Sequence, residues 1–274
     1  MENHDARPIG VFDSGVGGLT VLQAARAVLP AEHFIYLGDT ARLPYGTKSP
    51  DTVRRYAERA AAFLGQHDIK LLVIACNTAS AVALSSMQKS LAPLPVVGVV
   101  EPGARAAVAA MPAARHLVLA TEATVRLHAY RDAVLALDPA ARVDELACEL
   151  LVALAEEGWT NDAIAVAAIR RYLEPYFENG TFRPQSLILG CTHFPLLRHA
   201  VREVVGADVA IVDSAKTTAE VVKTLLRDQQ LLAPPGRDGA LNLLATDGAG
   251  RFARVGGNFL GQELATDDVH LADL

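Results

Sequence analysis

Positive charge is in short supply in this chain: 25 Lys and Arg stand against 31 Asp and Glu, a formal net charge of −6 over 274 residues. That balance leaves no basic footprint for a polyanion, so nucleic acid is not an expected partner. No apolar run approaches the roughly 18 to 20 residues that a membrane span requires. Met1 to Pro8 is short and polar, with no hydrophobic leader segment. No membrane association is expected, and the expected location is the cytoplasm. Cysteine is scarce as well. Cys76, Cys148 and Cys191 are odd in number, widely spaced and free of any C-x-x-C pair, which argues against a disulfide framework and for reduced thiols. Ligand spacing for a metal is missing, since only His193 lies close to Cys191, and no metal is expected. Low-complexity tracts and long charge runs are absent too. The one stretch with the composition of a loose linker is Ala233 to Gly239, which contains Pro234, Pro235 and Gly236.

Apolar residues, by contrast, make up 51% of the chain, enough for two cores of ordinary domain size. They fall in short runs at Ile9 to Phe12, Phe34 to Leu37, Leu71 to Ala75, Val96 to Val100, Leu117 to Ala120, Leu187 to Leu189 and Val209 to Val212. Each run is followed by a small or polar turn and then a helical pattern, the signature of parallel α/β construction. Val53, Tyr56, Ala57, Ala60, Phe63 and Leu64 share one helical face, with Ser49 as N-cap, Pro50 at the first helical position and Gly65 at the end. Ile164, Ala168 and Leu173, after Thr160 as cap, predict a second amphipathic helix near Asn161 to Glu174.

Ligands of open parallel sheets bind outside the carboxyl ends of the strands. The residues at those ends are Asp13-Ser14-Gly15, Gly38-Asp39-Thr40, Cys76-Asn77-Thr78, Glu101-Pro102-Gly103, Thr121-Glu122-Ala123-Thr124, Cys191-Thr192-His193 and Asp213-Ser214. Two of the seven are built alike. Both cysteine segments run apolar strand, small residue, cysteine, then hydrogen-bonding residues where a helix should begin. A thiolate at a helix N-terminus is stabilised by unpaired backbone N–H groups and the positive end of the helix dipole. Two such thiols flanking one small ligand suit removal of a proton from one face of a carbon and its return to the other. A lone cysteine after a buried strand is more often inert core, and Cys148, with no polar follow-up, fits that description. Gly15-Val16-Gly17-Gly18 matches neither G-x-G-x-x-G nor a P-loop, so tight turning and close backbone approach explain it better than phosphate binding. Asp13 has an alternative role as a helix N-cap, His193 as a cap or core histidine, and Tyr45 as a core or lid residue in a turn.

Five segments resemble the bacterial glutamate racemases in order and spacing: Ile9 to Leu19, Tyr36 to Gly46, Ile74 to Ser80, Leu189 to Leu197 and Val212 to Ser214. The resemblance runs from Ile9 to about Leu226. It implies two pseudo-symmetric α/β lobes, each a mostly parallel sheet flanked by helices, with the active site in the cleft between them. Residues 1–98 with 207–274 would form the first lobe and 99–206 the second. It implies that Cys76 and Cys191 are the acid/base pair, Cys76 facing the D-enantiomer and Cys191 the L-enantiomer, with Asp13 and His193 assisting them. It implies that Asp13, Ser14, Tyr45, Gly46, Asn77, Thr78, Thr192 and His193 hold the substrate, and that no pyridoxal phosphate, metal or nucleotide takes part. The product, D-glutamate, would supply peptidoglycan. The chain departs from the family pattern at Cys148-Glu149, where a proline is lost, and at Leu127, where a serine is usual; Glu156 keeps an acidic position. Rival readings are an aspartate or hydantoin racemase of the same superfamily, a non-catalytic small-molecule binding protein, and a thiol hydrolase working through Cys191 and His193. Oligomeric state is open, a homodimer included.

Overall fold

The alternation of apolar runs and amphipathic helices builds two separate parallel sheets in the computed structural model, which describes residues 4–177 and 182–274. The chain divides into two units, Met1–Val99 with Ala215–Leu274, and Val100–Ser214. Met1 to Asn3, part of the polar N-terminal stretch, lie outside the described residues. Unit 1 opens with β1 (Ile9–Asp13), α1 (Leu19–Val28), β2 (Phe34–Gly38), α2 (Pro50–Gly65), β3 (Leu71–Ile74), α3 (Asn77–Ser90) and β4 (Val96–Gly98). Unit 2 follows with α4 (Val100–Ala110), β5 (Arg115–Ala120), α5 (Glu122–Arg126), α6 (Ala129–Leu137), β6 (Arg142–Ala147), α7 (Glu149–Glu156), α8 (Ala163–Phe177), β7 (Ser186–Leu189), α9 (Arg198–Val205) and β8 (Ala210–Asp213). The chain then adds α10 (Ser214–Asp228), β9 (Leu241–Ala245), α11 (Ala249–Leu260) and β10 (Val269–Leu271).

Unit 2 has the strand order β6-β5-β7-β8. Unit 1 contains the same order as β2-β1-β3-β4, extended at the β2 edge by β9 and β10. Every strand pair is parallel. In this winding the order reverses between the first and third strands, and the crevice at their carboxyl ends is the place for a ligand. In unit 1 those strands are β1 and β3, which lead into Asp13 and Cys76. In unit 2 they are β5 and β7, which lead into Thr121 and Cys191.

The cores explain why the runs took this form. Phe12, Ile35, Leu37, Leu72 and Ile74 of the first sheet are buried against Val53, Ala57, Leu64, Ala83 and Met87 of α2 and α3. In unit 2, Val118, Ala120, Ile188 and Val212 are buried against Val100, Ala104, Ala107, Tyr130 and Val134 of α4 and α6. Each fully buried large aliphatic side chain contributes roughly 1.5–3 kcal/mol. Helix α2 forms as the sequence predicts, with Ser49 Oγ accepting from the Thr52 amide at 3.4 Å. Among the described residues no helix is long and apolar enough to cross a membrane.

Several expectations need correction. The run ending at Val100 stops as a strand at Gly98, and Glu101-Pro102-Gly103 lie inside α4 rather than at a strand end. Helix α8 starts at Ala163, not Asn161, because Asp162 Oδ1 accepts from the amides of Ile164 and Ala165, both at 2.9 Å, and so takes the capping role expected of Thr160. The chain leaves unit 2 after Ser214, later than the return expected near Gly206, because β8 hydrogen-bonds along β7 from Ala210 to Asp213. The stretch from Ala233 to Gly239 is not a loose linker. Buried Lys70 sits 2.5 Å from buried Glu32 and donates to the carbonyls of Asp5 and Leu231, each at 2.7 Å. Glu32 in turn accepts from the Ala233 amide at 2.7 Å, and the Gly239 amide donates to the Pro30 carbonyl at 3.0 Å. A buried ion pair with hydrogen bonds to the flanking backbone ties this return segment to the rim of the sheet.

Candidate active site

The candidate residues fall into two groups, one in each unit. Asp13, Ser14, Tyr45, Gly46, Cys76, Asn77 and Thr78 belong to unit 1; Cys191, Thr192 and His193 belong to unit 2.

In unit 1, β3 ends at Ile74 and Cys76 is the N-cap of α3, its sulfur accepting from the Ala79 amide at 3.4 Å. Asn77 and Thr78 form the first turn of that helix, and both are buried. Ser14 Oγ lies 3.6 Å from Cys76 Sγ. Asp13 ends the neighbouring strand β1, is 1% exposed, and accepts from the Gly15 amide at 2.9 Å. Helix α1 has Gly18 as its N-cap, so Asp13 does not cap it. Gly18 is there for close approach: a Cβ at this position would come 2.6 Å from Asp13 Cβ and 2.8 Å from Ala75 Cβ. The glycines after β1 thus let a helix start against the strand ends that carry Asp13 and Cys76.

Tyr36 is a member of this group that the sequence did not reveal. It sits mid-strand in an apolar run, fully buried, and its hydroxyl donates to the Gly15 carbonyl at 3.0 Å. Burial, followed by the nearby charges of Asp13 and Cys76, pushes its phenol well above the ordinary range. It therefore stays protonated, and its hydroxyl hydrogen remains available for donation. Tyr45 is also buried, and its hydroxyl donates to Asp39 Oδ2 at 2.6 Å. Burial and the Asp39 carboxylate raise its phenol as well. The expectation for Tyr45-Gly46 then narrows to their backbone, since the Tyr45 side chain is directed to Asp39.

In unit 2, β7 ends at Leu189, and Cys191 follows at the same offset that Cys76 has from β3. The continuation differs from the expected helix start. Cys191-Thr192-His193 form a turn, Phe194–Leu197 a 3-10 segment, and α9 begins only at Arg198. Pro195 accounts for this: it disfavours the α conformation at Phe194, and the chain tightens into i to i+3 bonds, Phe194 to Cys191 at 3.1 Å and Leu196 to His193 at 3.3 Å. Instead of a helix amide, a side chain meets this thiol. Cys191 Sγ lies 3.7 Å from His193 Nδ1, and His193 Nε2 lies 3.2 Å from Glu156 Oε1 at the end of α7. Glu156 is brought in by the tertiary fold, and only the acidic character of its position pointed to it in the sequence. Gly190, before the cysteine, has no room for a side chain: a Cβ would meet the Tyr130 ring at 2.9 Å and the Leu119 carbonyl at 3.0 Å.

Cys148 is fully buried at the start of α7, and burial, then the charges of Cys191 and Glu149, push its thiol up to about 12. All three cysteines are free thiols. Among the described residues no group of three or more His, Cys, Asp or Glu side chains is placed to hold a metal ion.

A family model for Asp/Glu/hydantoin racemases matches residues 19–222. The chain is 49% identical to a glutamate racemase of Geobacter metallireducens over 98% of this chain and 97% of that protein. Its fold is similar to that of the glutamate racemase isoform RacE1 from Bacillus anthracis, with a TM-score of 0.91, 35% identity and 99% of each chain covered. It is similar also to a glutamate racemase from Francisella tularensis solved with D-glutamate, with a TM-score of 0.88, 34% identity and 98% of each chain covered. With its paired 2-1-3-4 sheets and a cysteine after the third strand of each, the chain belongs to the Asp/Glu/hydantoin racemase family, among the glutamate racemases.

Proposed function

We propose that the protein interconverts L-glutamate and D-glutamate by a two-thiol mechanism. The observation that carries this reading is the equivalent placement of Cys76 and Cys191, each two residues beyond the third strand of a sheet with the same winding. One thiolate takes the proton from Cα, leaving the electron pair delocalised into the substrate carboxylate. The other thiol then delivers its own proton to the opposite face. The roles reverse for the opposite enantiomer, Cys76 acting as base on D-glutamate and Cys191 on L-glutamate. Asp13 supports proton movement at Cys76, and His193, oriented by Glu156, does so at Cys191. Main-chain amides and hydroxyls of Ser14, Asn77, Thr78 and Thr192, with the Tyr45-Gly46 backbone, receive the substrate carboxylates, and Asp13 faces the ammonium. The side chains alone account for the chemistry, with no cofactor in any step. The product is a building block for peptidoglycan, made in the cytoplasm.

The deciding experiment is proton exchange in D₂O with L-glutamate, D-glutamate and L-aspartate. Wild-type enzyme should place one deuterium at Cα of each product enantiomer of glutamate and turn over glutamate faster than aspartate. Racemisation without solvent deuterium would refute the two-thiol mechanism, and faster aspartate turnover would reassign the substrate.

A further inference from the structure

Thr246 lies beyond residues 19–222, the stretch that the family model matches, yet it reaches the candidate site. Strand β9 pairs with β2 so that Leu244 is opposite Leu37 and Ala245 opposite Gly38. The next residue on each side is therefore Thr246 and Asp39. The Thr246 amide donates to the Gly38 carbonyl at 3.1 Å, and its hydroxyl donates to Asp39 Oδ1 at 2.9 Å. The same hydroxyl accepts from the Ala41 amide at 2.9 Å. Asp39 is completely buried. Its Oδ1 also accepts from Arg42 at 2.9 Å, and its Oδ2 takes the Tyr45 hydroxyl at 2.6 Å. Its own amide donates to the Asp13 carbonyl at 2.9 Å. One carboxylate thus joins the Tyr45 turn to strand β9.

We propose that Thr246 is a positioning residue for substrate binding, acting through Asp39 to hold the Tyr45-Gly46 turn. This rests on the reading above that the backbone of that turn receives a substrate carboxylate. A carboxylate held at both oxygens has one orientation, and its Oδ2 then fixes where a buried tyrosine hydroxyl must lie. Without the Thr246 donor, among the described residues Oδ1 is held only by the partly exposed Arg42 side chain, so the carboxylate is less firmly fixed and Tyr45 must follow its acceptor or lose it. A small displacement of a binding turn is costly, because receptor amides work only at hydrogen-bond distance. The thiols stand on other strands and keep their geometry, so the loss falls on binding rather than on the proton-transfer step.

The test is steady-state kinetics on the full chain in both directions. Thr246→Val should raise KM for L- and D-glutamate about five- to tenfold while kcat stays within about twofold. Thr246→Ser, which keeps the hydroxyl, should restore KM to within about twofold of wild type. In a Tyr45→Phe background, which removes the group that Asp39 orients, Thr246→Val should add no further change in KM. An unchanged KM in Thr246→Val, a fall in kcat in place of the rise in KM, or the same increment in the Tyr45→Phe background would each overturn the proposal. If the valine variant does not fold, Thr246→Ala is read by the same criteria. Wild-type protein that fails to racemise glutamate would remove the functional reading itself, and that result appears before any variant is compared.

Discussion

Cys76 and Cys191 stand at the same place in two sheets of the same winding, but the chain leaves them differently. After Cys76 an α-helix begins at once, and its Ala79 amide points into the sulfur. After Cys191 a proline-bearing 3-10 segment intervenes, and the thiol's neighbour is a histidine from its own loop, backed by a carboxylate from α7. Asp13 ends the adjacent strand β1, where its carboxylate accepts from the Gly15 amide. Equivalent topology therefore places the thiols, while the continuing chain gives one a helix amide and the other a histidine–carboxylate pair. Racemisation tolerates such asymmetry. The two enantiomers have equal free energy, so kcat/KM must be the same in both directions whatever the partners are.

Replacing either thiol should do the most to break the pairing. Cys76→Ser and Cys191→Ser should each lower racemisation in both directions by roughly 10³-fold or more, since a serine hydroxyl is a far weaker base at neutral pH. If Cys191→Ser alone were inactive and Cys76→Ser retained turnover, a single-nucleophile enzyme would be indicated. Next come the partners. Asp13→Asn and His193→Asn should each lower kcat/KM by about 10- to 100-fold, equally in both directions. The asymmetry should appear in isotope effects: His193→Asn should enlarge the effect of α-deuteration on L-glutamate, and Asp13→Asn that on D-glutamate. Equal isotope effects in both variants would dissolve the distinction between the two thiols' surroundings. Glu156→Gln keeps the size of the side chain but weakens the orientation of His193, so a loss of about three- to tenfold in kcat with little change in KM is expected.

The smallest effect contrasts the two units away from the chemistry. Unit 1 buries a charge with a partner, Lys70 with Glu32. Unit 2 buries His116 on β5 opposite Ser186 on β7, and among the described residues neither ring nitrogen has a hydrogen-bond partner. Burial lowers the His116 pKa, with Asp138 opposing weakly. Its charged form is thus disfavoured in the folded state and freely available in the unfolded chain. The stability this neutral histidine preserves is complete above the unfolded value near 6.5 and is lost as pH falls through the lowered folded value. Urea midpoints should decline as pH falls below about 6.5 in wild type, and His116→Phe should flatten that decline. An identical slope in the variant would show that other groups govern acid sensitivity.

Much of this architecture is legible along the chain. Seven of the strands arise from short apolar runs, and the polar residues just past them include Asp13, Cys76, Cys191 and His193. Strand β6 escapes such a reading because Arg142 to Ala147 is an edge strand with a half-buried, charged sequence. Tyr36 escapes because a tyrosine inside an apolar strand looks like packing until its hydroxyl is placed. Chain order and local pattern determined the parallel α/β class, the strand ends and the candidate thiols, because burial and backbone geometry act within a few residues. Only the tertiary structure decided which side chains serve those thiols and turns. Glu156 reaches His193 from α7, and Thr246 reaches Asp39 from β9. These pairs join residues far apart in sequence, and strand register and helix packing, rather than any local propensity, bring their atoms within hydrogen-bond range.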